Sequence, residues 1–132
     1  MGRKLTVKGR ILKLEHLQRD LILKENKKCA YCHQKATMVD HLFSRRHRAL
    51  FFYRDNLNPI CAGCNQRKGF GQGDIAATLF FDTRQRIGED RWKQMVDLLN
   101  KPFPNFQKTW YLDMIEEQLK DTLLDKLKKK FC

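Results

Sequence analysis

Two Cys-x-x-Cys pairs, Cys29/Cys32 and Cys61/Cys64, stand 28 residues apart in a chain of 132. Each pair forms a tight knuckle that offers two sulfurs to one ion, and four thiolates close a tetrahedral zinc site with no open position. Such a zinc is structural, and its binding supplies folding free energy. The surrounding segment, residues 27–70, is short and polar, a size at which domains need metals, disulfides or partners. One pair alone would also suit a redox dithiol; two pairs together favour a metal. His33 adjoins Cys32 and is a ligand type, but four cysteines already fill the site. Cys132 belongs to neither pair and reads as a loose terminal thiol.

The net charge is +12, from 27 Lys and Arg against 15 Asp and Glu. An excess of that size favours a polyanion as partner, either nucleic acid or an acidic membrane face, and beside the cysteine motif the expected partner is nucleic acid. The bland alternative is a solvated basic surface. No apolar run approaches the roughly 20 residues of a membrane span. Met1-Gly-Arg-Lys leads into an amphipathic run rather than a signal peptide, so the expected setting is the cytoplasm, where thiols stay reduced.

The length fits one domain over 1–132. The expected class is α+β: a small zinc-stapled core, an N-terminal helix and a C-terminal helical extension. Ile11, Leu12, Leu14, Leu17, Leu21 and Leu23 recur at near-helical spacing and predict a helix over 10–27 whose apolar stripe docks on the core. Residues 28–72 form the core. Ala36–Leu42 alternates well enough for a strand, and Asn56–Ile60 turns into a second, short one that Pro59 limits to an edge. Asn65 reads as a helix start. Residues 74–131 read as the extension: a helix over 75–87 behind Asp74 as N-cap, a stop at Gly88, a helix over 89–99, a linker at 101–105, and a long helix over 109–130.

The polar residues between the knuckles point to chemistry. Cleaving a phosphodiester needs a base for water and a cation for the charge on the phosphate and leaving oxygen. His41 suits the first task near neutral pH. A carboxylate and an amide oxygen, Asp40 and Asn65, suit a hard ion such as magnesium. Asn56 is placed to brace the loop that follows His41. On an ideal strand Asp40 and His41 project to opposite faces, so a bend is needed to bring both to one site. Arg45, Arg46 and Arg48, interleaved with Phe51, Phe52 and Tyr53, are either a phosphate-gripping edge or solvated cations around packed rings. Arg67 and Lys68 extend the basic surface.

Val39-Asp40-His41, then NLNPIC and CNQRK between the two Cys-x-x-Cys pairs, resembles the HNH endonuclease family with its ββα-metal fold. The resemblance spans residues 29–69, about a third of the chain. It implies a metal-dependent DNA endonuclease with catalytic residues His41, Asp40, Asn56 and Asn65. His41 is the general base, Asp40 and Asn65 hold Mg2+ or Mn2+, Asn56 orients, and Lys68 lies near the phosphate. The structural zinc falls to Cys29, Cys32, Cys61 and Cys64. A weaker likeness, over residues 84–95, is to the phage NinG recombination nucleases and implies a phage-encoded protein that processes recombining DNA. The competing reading is a non-catalytic zinc-stabilised module that binds nucleic acid through its basic surface.

Overall fold

The computed structural model describes residues 6–101 and 109–131, with side chains for 6–101 and 110–122. The 102–105 part of the expected linker, the cations Arg3 and Lys4, the apolar positions Leu123 and Leu127, the lysines at 126–130 and Cys132 lie outside what is described. Among the described residues the class is α+β. Five helices, α1 (Val7–Glu25), α2 (Ala62–Gly69), α3 (Ile75–Ile87), α4 (Glu89–Leu99) and α5 (Thr109–Phe131), accompany one two-stranded sheet of β1 (Met38–His41) and β2 (Leu57–Ile60). None of these helices is long and apolar enough to cross a membrane.

The chain divides into two compact units, Ile22–Phe103 and a second that gathers Met1–Leu21 with Pro104–Cys132. The expected 74–131 extension is therefore split: α3 and α4 belong with the cysteine knuckles, and α5 belongs with most of α1. In the second unit Arg10 of α1 pairs with Asp113 at 2.7 Å and Glu116 at 3.3 Å on α5. Buried positions on α1 are Leu14, Gln18, Leu21 and Ile22, while Leu12, read as part of the apolar stripe, is exposed. The helix ends at Glu25, two residues short of the expectation. The Asn26 side-chain Oδ1 accepts from the Lys28 amide at 3.0 Å, a local turn that competes with another helical residue.

The sheet is antiparallel, with Met38 opposite Ile60, Val39 opposite Pro59, Asp40 opposite Asn58 and His41 opposite Leu57. Met38, Asp40, Asn58 and Ile60 thus share one face, and His41 and Leu57 share the other. The first strand is shorter than the predicted 36–42, because only Met38–His41 have partners in β2. Ile60 packs with Cys29, Cys64, Ile75 and Leu79 in a buried cluster around the knuckles. Each such aliphatic side chain contributes about 1.5–3 kcal/mol relative to exposure. A second cluster joins Leu50 to Ile87, Trp92 and Met95. Trp92 is a core residue, whereas Trp110 is exposed.

Helix α3 buries Ile75, Leu79, Thr83 and Ile87, a stripe of four-residue steps. Thr83 is polar, and it is buried because its hydroxyl accepts from the Asn58 amide at 3.1 Å, tying α3 to β2. Asp74 stands at the N-cap position but makes no side-chain cap bond; its carboxylate accepts from the Tyr31 hydroxyl at 2.8 Å. Gly88, at φ 86°, turns the chain from α3 into α4, a conformation a side chain would strain. The segment likened to NinG proteins is this corner. It is clamped by the Arg84–Glu89 pair at 2.7 Å, with the Arg84 guanidinium 5.6 Å from the Trp92 ring centre.

Between the strands runs a long loop with single 3₁₀ turns at Arg48–Leu50 and Arg54–Asn56. Asn56 has no exposed surface. Its oxygen accepts from the Phe43 amide at 2.6 Å, and its nitrogen donates to the carbonyls of Phe43 at 3.2 Å and Leu50 at 3.0 Å. One side chain therefore holds the chain immediately after His41 against the end of the loop. Asn56→Ala leaves those groups buried and unbonded, a cost of about 3 kcal/mol. Urea unfolding should show that loss as a lower midpoint with an unchanged slope; a loss under about 1 kcal/mol would mean the loop holds without it.

Candidate metal centre and adjoining imidazole

The four knuckle sulfurs lie within 4.8 Å of one another. Cys32 Sγ is 3.6 Å from Cys61 Sγ, and none of the four forms a disulfide. Zinc–sulfur bonds of about 2.3 Å put tetrahedral sulfur edges near 3.8 Å, so this spread fits a zinc ion after small adjustments. Sequence spacing explains the geometry. Each Cys-x-x-Cys bends so that the later cysteine's amide reaches the earlier sulfur: Cys32 N to Cys29 Sγ is 3.5 Å and Cys64 N to Cys61 Sγ is 3.4 Å. His33 takes φ 65° to close the first knuckle, with its amide donating to the Cys29 carbonyl at 3.0 Å. Its ring is outside the sulfur cluster.

The second knuckle is also the first turn of α2. Cys61 is the N-cap, and its sulfur accepts the amide that a capping side chain would accept. Asn65 is therefore a mid-helix residue, not the helix start that its type suggests. The protonation of the four sulfurs is uneven. Burial raises the Cys29 thiol, but backbone hydrogen bonds from Cys32, Cys61 and Tyr31 outweigh it and bring the pKa to about 6. Burial pushes Cys64 up to about 12, although Arg67, 3.5 Å from its sulfur, favours the thiolate.

Beside the cage, α2 covers the Met38–Asp40 face of β1. Lys68 Nζ donates to Asp40 Oδ2 at 2.7 Å and to the His41 carbonyl at 3.2 Å. Both partners are largely buried, with 17% and 10% of their side chains exposed. One turn earlier on the same side of the helix, Asn65 Nδ2 lies 3.8 Å from Met38 Sδ. Asp40 and Asn65 are thus brought to one strand face, two residues apart along it, without converging on a point.

His41 leaves the strand on the opposite face, as the alternation requires. Its Nε2 is 3.0 Å from the Phe51 carbonyl, and its ring lies 5.0 Å from the Phe51 ring, tilted by 42°. A carbonyl only accepts, so Nε2 carries the hydrogen, and in the neutral ring Nδ1 keeps the lone pair. This partner is a main-chain atom in the 43–55 loop, which no side-chain motif could have revealed. Asn56, packed beneath the loop, fixes where that carbonyl sits.

The basic residues are divided in use. Arg67 is bound to Cys64 and Lys68 to Asp40. Arg45 stacks 5.0 Å from the Phe51 ring centre. Arg46 and Arg48 line a small cavity of about 240 Å³ together with His47 and Lys101. Asp55 was not singled out from the sequence. It is buried and takes the Arg91 guanidinium in a two-point pair, anchoring the loop to α4; a single Asp between Arg54 and Asn56 carries no signal of that.

A scan against protein-family models and searches of the curated proteins and of the solved structures found no match.

The cage makes a direct expectation. The folded protein should carry one zinc per chain by elemental analysis, and Cys61→Ser should lose it. Because Cys64 must give up its proton, zinc binding at pH 7.5 should release protons, and affinity should fall as pH falls. Calorimetry in two buffers of different ionisation enthalpy reads the release. Well-folded protein free of zinc would overturn the assignment.

Proposed function

We propose that the chain is a metal-dependent endonuclease of the HNH kind, hydrolysing phosphodiester bonds in DNA. The observation that carries this reading is the imidazole of His41. It is half-buried, fixed through Nε2 to a backbone carbonyl, and left with its basic nitrogen oriented by a loop that one buried asparagine holds. A general base needs one ring nitrogen protonated and held and the other basic, and the bond to the Phe51 carbonyl meets the first requirement.

The chain's own residues divide the reaction as follows. His41 Nδ1 takes a proton from water as the oxygen attacks phosphorus. The P–O3′ bond breaks opposite, and the departing oxygen takes a proton, leaving 5′-phosphate and 3′-hydroxyl ends. Magnesium or manganese held by Asp40 and Asn65 would neutralise charge on the phosphate and on the leaving oxygen. The donor types, a carboxylate oxygen from β1 and an amide oxygen from α2, suit a hard ion, and the carboxylate already holds a cation in the form of the Lys68 ammonium; binding one ion would require Asp40 and Asn65 to draw together. Asn56 orients, and Lys68 and the Arg45–Arg48 stretch supply positive charge for the backbone.

The alternative, a zinc-stabilised module that binds nucleic acid without cutting it, draws on a specific observation. Asp40 is committed to Lys68, and Asn65 leans on Met38. In that reading Asp40–Lys68 is a strap between β1 and α2.

Cleavage of supercoiled plasmid with magnesium or manganese separates the two. His41→Ala should lower the rate by at least about 10²-fold while retaining DNA binding, since general bases contribute about 10²–10⁴-fold. Equal nicking by the variant and the parent would overturn the role of His41, and no cleavage by the parent with any divalent ion would favour the binding module. In either reading DNA affinity should fall steeply with salt, as phosphate contacts release counterions; a flat response between about 50 and 200 mM would remove the basic surface as the docking face.

A further inference from the structure

A cavity of about 570 Å³ opens between the first knuckle, β2 and α3. None of Asp40, His41 and Asn65 lines it. Its polar wall is formed by Lys28, His33, Arg54, Asn58, Asp82 and Arg86, and Leu57, Pro59 and Leu79 give it an apolar floor.

The cations Lys28, Arg54 and Arg86 outnumber the one carboxylate on that wall, Asp82, which is exposed. Arg54 is answered by Glu25 at 3.0 Å. Asp55, the nearby buried carboxylate, is already taken by Arg91. Arg86 has no carboxylate partner among the described residues; its guanidinium reaches the Asn58 oxygen at 3.4 Å, a long contact to a neutral group. Asn58 is itself buried, and its nitrogen is spent on Thr83, so its orientation is fixed. Arg86 is exposed as a residue, yet partial burial of its charged end, and then the like charge of Arg54, hold its pKa below the ordinary arginine value against an opposing pull from Asp55. Lys28, also exposed, makes no ion pair among the described residues. A guanidinium held in a cavity wall beside like charges is a cost that an anion in the cavity would offset.

We propose that this cavity binds the phosphate of a nucleotide, with Arg86 and Lys28 on the phosphate and the sugar or base over Leu57, Pro59 and Leu79. The volume falls within the range of about 300–1,000 Å³ that small-molecule sites occupy, and a bare phosphate would leave most of it unfilled. His33 also lines the cavity, brought there by the turn of the knuckle. The phosphate comes either from a free mononucleotide or from the end of a nucleic-acid strand. The site does not depend on the nuclease reading, because it is read by binding and not by cleavage.

The test is calorimetry on the zinc-loaded full chain without added magnesium, using dAMP, deoxyadenosine, and an eight-nucleotide DNA strand bearing either a 5′-phosphate or a 5′-hydroxyl. The expected result is that dAMP or the 5′-phosphorylated strand binds at least 10-fold more tightly than its unphosphorylated counterpart. Arg86→Gln should erase that preference and Lys28→Gln should weaken it about threefold, with zinc content and thermal midpoint kept. Amide shifts should cluster at residues 28–33, 57–59 and 79–86. A preference confined to dAMP identifies a mononucleotide site, and one confined to the strand identifies a strand end; both sustain the proposal. Unchanged affinity in both variants, or equal binding with and without the phosphate, would overturn it.

Discussion

Four sulfurs drawn within 4.8 Å of one another are the constraint on which residues 22–103 rest. The two knuckles flank the hairpin, so closing the cage closes the hairpin's base. The Ala30 amide donates to the Pro59 carbonyl at 2.8 Å across that closure. Cys29 and Cys64 are at the same time buried members of the apolar cluster with Ile60, Ile75 and Leu79. The cage and the core are therefore one object. Backbone amides hold Cys29 towards thiolate while burial holds Cys64 towards thiol. A dication held by the four sulfurs would make all of them anionic partners of one charge and would add stability to a unit with so small an apolar cluster.

The hairpin then sets what α2 can touch. Register places Asp40 on the face that the helix covers and His41 on the other. The helix begins inside the second knuckle, so its phase is fixed by Cys61 and Cys64 and cannot drift. Asn65 and Lys68, three residues apart, consequently meet β1 at Met38 and Asp40, two residues apart. The loop does for His41 what the helix does for Asp40. Asn56 and the Asp55–Arg91 pair hold its far end, and Phe51 offers both a ring and a carbonyl to the imidazole. Each of these side chains is thus supported by an element whose position traces back to the cysteines or to one buried polar residue.

Much of this was legible in the chain of letters. The cysteine set, and helices α3 and α4 with the glycine between them, follow from spacing and local propensity. What escaped did so for physical reasons. Asn65 looked like a helix start because asparagine caps well, but a cysteine sulfur accepts an amide too, and the knuckle had already begun the helix. Thr83 broke an apolar stripe that is continuous in space, because its partner Asn58 lies 25 residues away. The commitment of Lys68 to Asp40 and of His41 to a backbone carbonyl are long-range pairings for which no local pattern exists. The division that sends α5 to join α1 is likewise a tertiary fact, invisible to periodicity.

The Asp40–Lys68 pair bears on any chemistry at the hairpin. Removing one partner from a largely buried pair costs about 3–5 kcal/mol when the other charge is left alone. An ion held by Asp40 would therefore have to exchange with the Lys68 ammonium rather than fill an open site. In the nuclease reading that exchange has a second half. The displaced ammonium sits on a flexible stem at the end of α2, beside the His41 carbonyl, and a phosphodiester is the anion that would take it. Exchange at Asp40 and engagement of the phosphate are then favourable together and unfavourable apart. In the binding-module reading the same pair stays closed, and the strand and helix it joins remain a rigid platform. One contact of 2.7 Å thus separates the two readings in energetic terms, although it looks the same in both.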